Sequence, residues 1–191
     1  MGTTHFSELM KSFYDYWLSL PRESGQIIPS RKSINPAKMK SILPYFFLSE
    51  WKNDNEIINK ITGTNLDEVL GANFTGINFL KNYDGERLKF YQQYWSALRT
   101  TPCGAQLDRQ VNFPNGKIYQ MSSLHLPLLG PQGDVIFYCG TNESKQAFFP
   151  DDINKPFELL NKTKISRMSF FDIGAGLPDN PPDIEIHNNA E

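Results

Sequence analysis

The chain has 191 residues, a formal net charge of −2, and 39% hydrophobic and 13% aromatic residues. That length points to one domain with extra segments at its ends, large enough to bury a good core. The near-neutral charge excludes the strong positive field that draws in nucleic acid or anionic lipid, and no apolar run approaches the length of a membrane span.

Residues 6–20 place Phe6, Leu9, Met10, Phe13, Tyr14, Trp17 and Leu18 at helical spacing, and Pro21 stops the helix. This stripe is wide and aromatic, so it must bury against the sheet or against a second copy of the chain. Residues 21–35 read as loop, with Arg31 and Lys32 as solvated charges, like Lys38 and Lys40 beyond it. Asn35 caps a short turn that opens on Pro36 and closes at Pro44, with Met39, Ile42 and Leu43 turned inward. Residues 45–51 form a strand apolar on both faces. After the Asn53-Asp54-Asn55 turn, residues 56–62 return as its hairpin partner.

Gly63-Thr64 turns the chain into a short helix over 65–70, with Thr64 as its cap and Gly71 as its left-handed end. Residues 73–80 read as irregular. Asp84 caps the longest helix, which runs to about Thr100 with Leu88, Tyr91, Trp95 and Leu98 as its seam. Strands over 104–113 and 117–128 flank Asn115-Gly116, a strong hairpin signal, and residues 135–140 form a fully apolar strand. Pro127 lacks an N–H, so its position should be a sheet edge or a bulge. Past Pro150 the pattern weakens: 153–160 reads as a helix, 165–173 as a short strand or helix, and 177–191 as a polar tail. Five strands, a hairpin plus a three-strand meander, make one antiparallel sheet with helices across one face. The class is α+β with an added N-terminal amphipathic helix.

Four stretches carry a resemblance. They are Trp17 followed by the loop and Pro36; Leu43-Pro44-Tyr45-Phe46-Phe47-Leu48; Ile61-Thr62-Gly63-Thr64 with Leu66, Gly71 and Thr75-Gly76; and Leu126-Pro127-Leu128 with Gly133 and Gly140. In order and spacing they resemble a bacterial PAS subfamily, common in alphaproteobacteria, whose members typically stand alone as short proteins. The resemblance spans residues 16–143. It implies a domain organisation of 1–35 as N-terminal helix and loop, 36–148 as PAS-like domain and 149–191 as C-terminal extension and tail.

The chemistry that such a domain could host is limited by what the sequence carries. Haem-binding PAS domains place an axial His on or near the long helix, and residues 84–100 contain none; the chain's histidines are His5, His125 and His187. Flavin photoreceptor PAS domains carry an Asn-Cys-Arg motif before the long helix, where this chain has Asn78-Phe79-Leu80. Both groups are argued against on this ground, and the expectation is no cofactor, with an unidentified small ligand left open. Cys103 and Cys139 read as reduced, buried residues of a cytosolic protein. Asp67, Glu68, Asp84, Glu86, Asp151 and Asp152 read as helix-start and turn residues rather than a catalytic pair. No catalytic or metal-binding set is expected.

What remains is an apolar cavity between sheet and helices. Phe47, Leu66, Val69, Phe74, Phe79, Tyr91 and Trp95 are its candidate lining, with Ser123 and His125 as polar handles. Phe6, Phe13, Tyr14 and Trp17 are candidates for a homodimer interface. The expected role is a stand-alone cytoplasmic sensory module that binds a small ligand or a signalling protein partner, without nucleic acid or membrane. A structural homodimerisation domain with a filled core is the alternative, and a small enzyme using the cleft is a third reading.

Overall fold

The computed structural model describes residues 5–71, 73–112, 118–148 and 163–190. Its strands are β1 (Phe46–Asn53), β2 (Glu56–Thr62), β3 (Gly104–Asn112), β4 (Ile118–Leu129), β5 (Val135–Phe148) and β6 (Thr163–Phe171). They form one antiparallel sheet in the order β2-β1-β5-β4-β3-β6. Its helices are α1 (Glu8–Ser19), α2 (Thr64–Leu70), α3 (Gly85–Thr100) and α4 (Ile184–Asn188). The hairpin and the meander are joined through β1 and β5. The sixth strand comes from the segment whose sequence left strand and helix open. Asn112 pairs with Ile118 across the β3–β4 hairpin, whose Asn115-Gly116 turn lies outside the described residues. So does the helix expected over 153–160.

The alternation of each strand sorts its side chains onto two faces. On the outer face Phe46 and Leu48 of β1, Leu124, Leu126 and Leu128 of β4, and Phe137 and Cys139 of β5 are buried under α1. The helix presents Met10, Phe13 and Trp17, which sit three and four residues apart. Ser7 caps it, accepting from Met10 N at 3.0 Å while its hydroxyl donates to the Glu143 carboxylate on β5. Arg22 closes the other end, donating to the carbonyls of Leu18 and Leu20 at 2.8 Å each.

This placement decides the fate of the four dimer candidates. Phe13 and Trp17 are fully buried against the chain's own sheet. Phe6 and Tyr14 pack edge-on against Phe171 of β6. Within one chain the outer sheet face thus takes Phe13 and Trp17 completely, while Phe6 and Tyr14 stay half-buried and Leu18, at 48% exposure, faces away from it.

On the inner face α3 buries Phe90, Tyr91, Tyr94, Trp95 and Leu98 over Ala105, Leu107 and Val111 of β3, Met121 of β4 and Tyr138 of β5. The buried surface of α3 is wider than the expected seam, because Phe90 and Tyr94 extend it and Leu88 is only half-buried. Gly63, not Thr64, occupies the cap position of α2, and no side chain caps that helix. A Cβ at Gly63 would collide with the Pro44 carbonyl, so close approach accounts for the glycine. Asp84 likewise makes no side-chain cap bond.

Pro127 sits in an inner strand, yet its surroundings keep the logic of the sequence. The β3 ladder pairs with β4 only as far as His125, so at Pro127 the strand has β5 alone as neighbour. The Pro127 carbonyl accepts from Trp17 Nε1 at 3.1 Å.

The segment read as a tail is docked. Asn188 accepts from Ile165 N and donates to Ile165 O, both at 2.8 Å. His187 is fully buried against the rings of Phe90 and Tyr91. One amide side chain thus satisfies both backbone groups of an edge-strand residue, a device with no hydrophobic pattern to announce it.

Candidate functional site

Between α2, the 3-10 turn Phe79–Asn82, α3 and the inner sheet face lies a cavity of about 70 Å³. Each wall has a local cause. Asp67 of α2 accepts from Thr62 Oγ1 at 3.0 Å and from Phe74 N at 3.1 Å, which fixes Phe74 beside the helix. Asn78 accepts from Ile57 N at 3.0 Å and Leu80 N at 3.1 Å and donates to Asn55 O at 2.9 Å. That side chain pins the turn carrying Phe79 to β2. Gly140 lies between Phe47 and His125 in register, and a Cβ there would collide with the Leu124 carbonyl and approach the Phe47 ring. The rings of Phe47 and His125 consequently meet across it, centroids 5.2 Å apart.

Of the nine residues named from the sequence, the structure brings Phe47, Leu66, Phe74, Phe79, Tyr91, Trp95 and His125 together in this wall. Val69 is not in it; Leu70, the next residue, takes that place. Ser123 is buried on the inner face but donates to Leu107 O at 3.2 Å and does not reach the cavity. The sequence reading missed Ser49, Asn59, Asn82, Tyr94, Arg109 and Asn142, all in the wall. For Arg109 a signal existed: it stands in the run Ala105, Leu107, Arg109, Val111, where strand alternation makes every other member apolar.

His125 is held by one polar bond, 2.8 Å between its Nδ1 and the Tyr94 hydroxyl, and by the rings of Phe47, Tyr94 and Trp95. Burial, reinforced by the Arg109 charge, drives its pKa down to about 3, so the imidazole is neutral at physiological pH. Burial pushes the Tyr83 and Tyr94 phenols well above their ordinary value, so both are neutral too. Arg109 is 93% buried (7% exposed) and is the one formally charged residue in the wall among the described residues. Desolvation alone would lower its pKa, but the adjacent Tyr91 and Tyr83 phenol groups, Tyr91 also by hydrogen bond, raise it, and the guanidinium stays charged. Ser49 Oγ donates to Asn59 Oδ1 at 3.1 Å. Three wall atoms have no hydrogen-bond partner among the described residues: Trp95 Nε1, Arg109 Nε and Asn142 Oδ1.

Cys103 and Cys139 are free and buried, and neither lines the cavity. Burial pushes the Cys103 thiol up to about 12 and Cys139 higher still. Among the described residues no group of three or more His, Cys, Asp or Glu could hold a metal ion, and no helix is long and apolar enough to cross a membrane.

A family model for the PAS domain matches residues 5–142. No curated protein matches the chain. Among solved structures, one described as "Flavin Analogue Sheds Light on Light-Oxygen-Voltage Domain Mechanism" aligns with a TM-score of 0.44 at 10% identity, covering 58% of this chain and 84% of that one. Another, "Structure of an RNA-binding Light-Oxygen-Voltage Receptor", aligns with a TM-score of 0.42 at 15% identity, covering 65% of this chain and 36% of the receptor. The chain therefore spans about a third of that receptor's length.

These structures correct the expectation of no cofactor, because light-oxygen-voltage domains, one described with a flavin analogue, are what the chain resembles. The wall itself sets what a flavin would meet. It offers no thiol, and a cavity of about 70 Å³ is well short of the several hundred Å³ that ligands of that size occupy. The residues as they stand do not fit the three-ring group without displacement of the wall. Since the family match takes in α1 and every strand and helix from β1 into β5, the chain belongs to the PAS domain family.

Proposed function

We propose that the chain is a sensory module whose signal is the occupancy of the inner-face cavity by a small ligand. The observation that carries this reading is a cavity whose wall holds the buried Arg109 guanidinium, with no carboxylate partner among the described residues, and three unpartnered buried polar atoms. Leaving such a group unpaired costs about 1–3 kcal/mol, so a wall with three of them favours a guest that pairs with them.

The module acts by binding and not by turnover. Among the described residues the wall holds no carboxylate to work with His125, which is neutral and bonded to Tyr94. Output passes through protein–protein contact, with a partner protein or with a second copy of the chain. The two sheet faces are mechanically joined: β1, β4 and β5 line the cavity with one set of side chains and hold α1 with the alternate set. A guest that shifts these strands shifts the seat of α1.

Thermal unfolding and sedimentation of the purified chain with a panel of small metabolites and flavins test the proposal. A compound that raises the melting temperature and alters the mass or shape in solution is the expected result. A chain insensitive to every compound would leave the filled-core reading in its place.

A further inference from the structure

We propose that the cavity takes a small monocarboxylate, acetate- to butyrate-sized, with its anionic head against Arg109 and its carbon chain among Leu107, Val111 and Met121. This rests on the reading of the cavity as a ligand site and names the class of guest.

Three observations converge. The first is an unbalanced charge. Among the described residues no carboxylate lies within 4 Å of Arg109, and the cation–π contacts are made by Arg22, Arg31 and Arg99. Water can satisfy a guanidinium's N–H groups but cannot neutralise it, and a buried unpaired charge is strongly unfavourable. The second is donor excess. Trp95 Nε1 and Arg109 Nε are two donors with no partner among the described residues, and the Asn142 amide can present its NH₂ group by a simple flip. A carboxylate has about four acceptor sites for such donors and takes a guanidinium in bidentate fashion. The third is local geometry. The β3–β6 ladder slips between Asp108 and Arg109, an irregularity beside the one charged wall residue, as is common where a strand re-aims a functional side chain.

Size bounds the guest. About 70 Å³ is several times what one water needs and about half the volume of a cavity that holds benzene. The rest of the wall is apolar or neutral, so a second charge on the guest would be left unmatched.

Isothermal titration of the full chain with propionate, butyrate and pyruvate, each against its amide, tests the proposal on unaltered protein. At least one acid is expected to bind, with its amide at least about tenfold weaker. Arg109→Met, which keeps a linear apolar stem and removes the guanidinium charge, should abolish acid binding, while circular dichroism shows the fold kept. Equal affinity for acid and amide overturns the carboxylate assignment and leaves the sensory cavity standing. Absence of binding by every acid and amide, with only ordered water in the cavity of a crystal soaked in butyrate, overturns both. An acid that binds Arg109→Met as tightly as the unaltered chain overturns the role of Arg109.

Discussion

The Tyr94 hydroxyl and His125 Nδ1 lie 2.8 Å apart, and that bond ties α3 to β4 at the cavity wall. It also makes His125 a pH-sensitive part of the fold. Its folded pKa of about 3 lies below the unfolded value of 6.5, so the unfolded chain binds the extra proton. Stability is full above about pH 6.5 and falls as the pH drops toward 3. Between pH 8 and pH 5 this one histidine accounts for a loss of about 2 kcal/mol. His187, lowered to about 4 chiefly by burial, adds a similar loss over the same interval. Urea unfolding across that interval should show a shallower pH slope in His125→Gln than in the unaltered chain. Equal slopes would mean that His125 is solvated.

Trp95→Ala should destabilise the domain by about 3–5 kcal/mol. The indole is 4% exposed and packs on Phe79, Tyr94, His125 and Tyr138. A urea midpoint equal to that of the unaltered chain would show that α3 does not close the inner face.

Asn188→Ala removes two hydrogen bonds to the Ile165 backbone and leaves an edge-strand N–H and carbonyl to water. The expected cost is about 1–3 kcal/mol, with faster proteolysis after residue 171. Unchanged proteolysis would show that α4 is not held by this side chain.

Deleting residues 1–20 uncovers Phe46, Leu48, Leu124, Leu126, Leu128 and Phe137 together. So large an apolar face should drive the truncated chain to self-associate, which sedimentation would show. A soluble truncated chain of unchanged mass would contradict the account of α1 as the cover of its own sheet.

The order of strands and helices was legible because each element carries its own period. The β1 run, apolar at every position from Phe46 to Leu48, told of two covered faces. It could not tell whether α1 of the same chain or of another supplied the cover, since both bury the same stripe. The apolar half of the cavity was legible through aromatic spacing on α3 and around Gly63–Phe79. Of its polar half only Arg109 broke an apolar alternation; Asn59 and Asn142 look like ordinary strand residues until the register sets them beside one cavity. The docking of 184–190 escaped notice because one Asn and one His anchor it, within a sequence rich in Pro and Asp.

Methyl NMR of the methionines tests the central claim most directly. Met121 lines the cavity, whereas Met10 and Met39 are buried beneath the opposite sheet face. Titration with the small acids, their amides and a flavin should move the Met121 methyl signal, saturably, for at least one compound, and leave Met10 and Met39 nearly in place. A Met121 signal that stays fixed for every compound would contradict the assignment of this cavity as the ligand site.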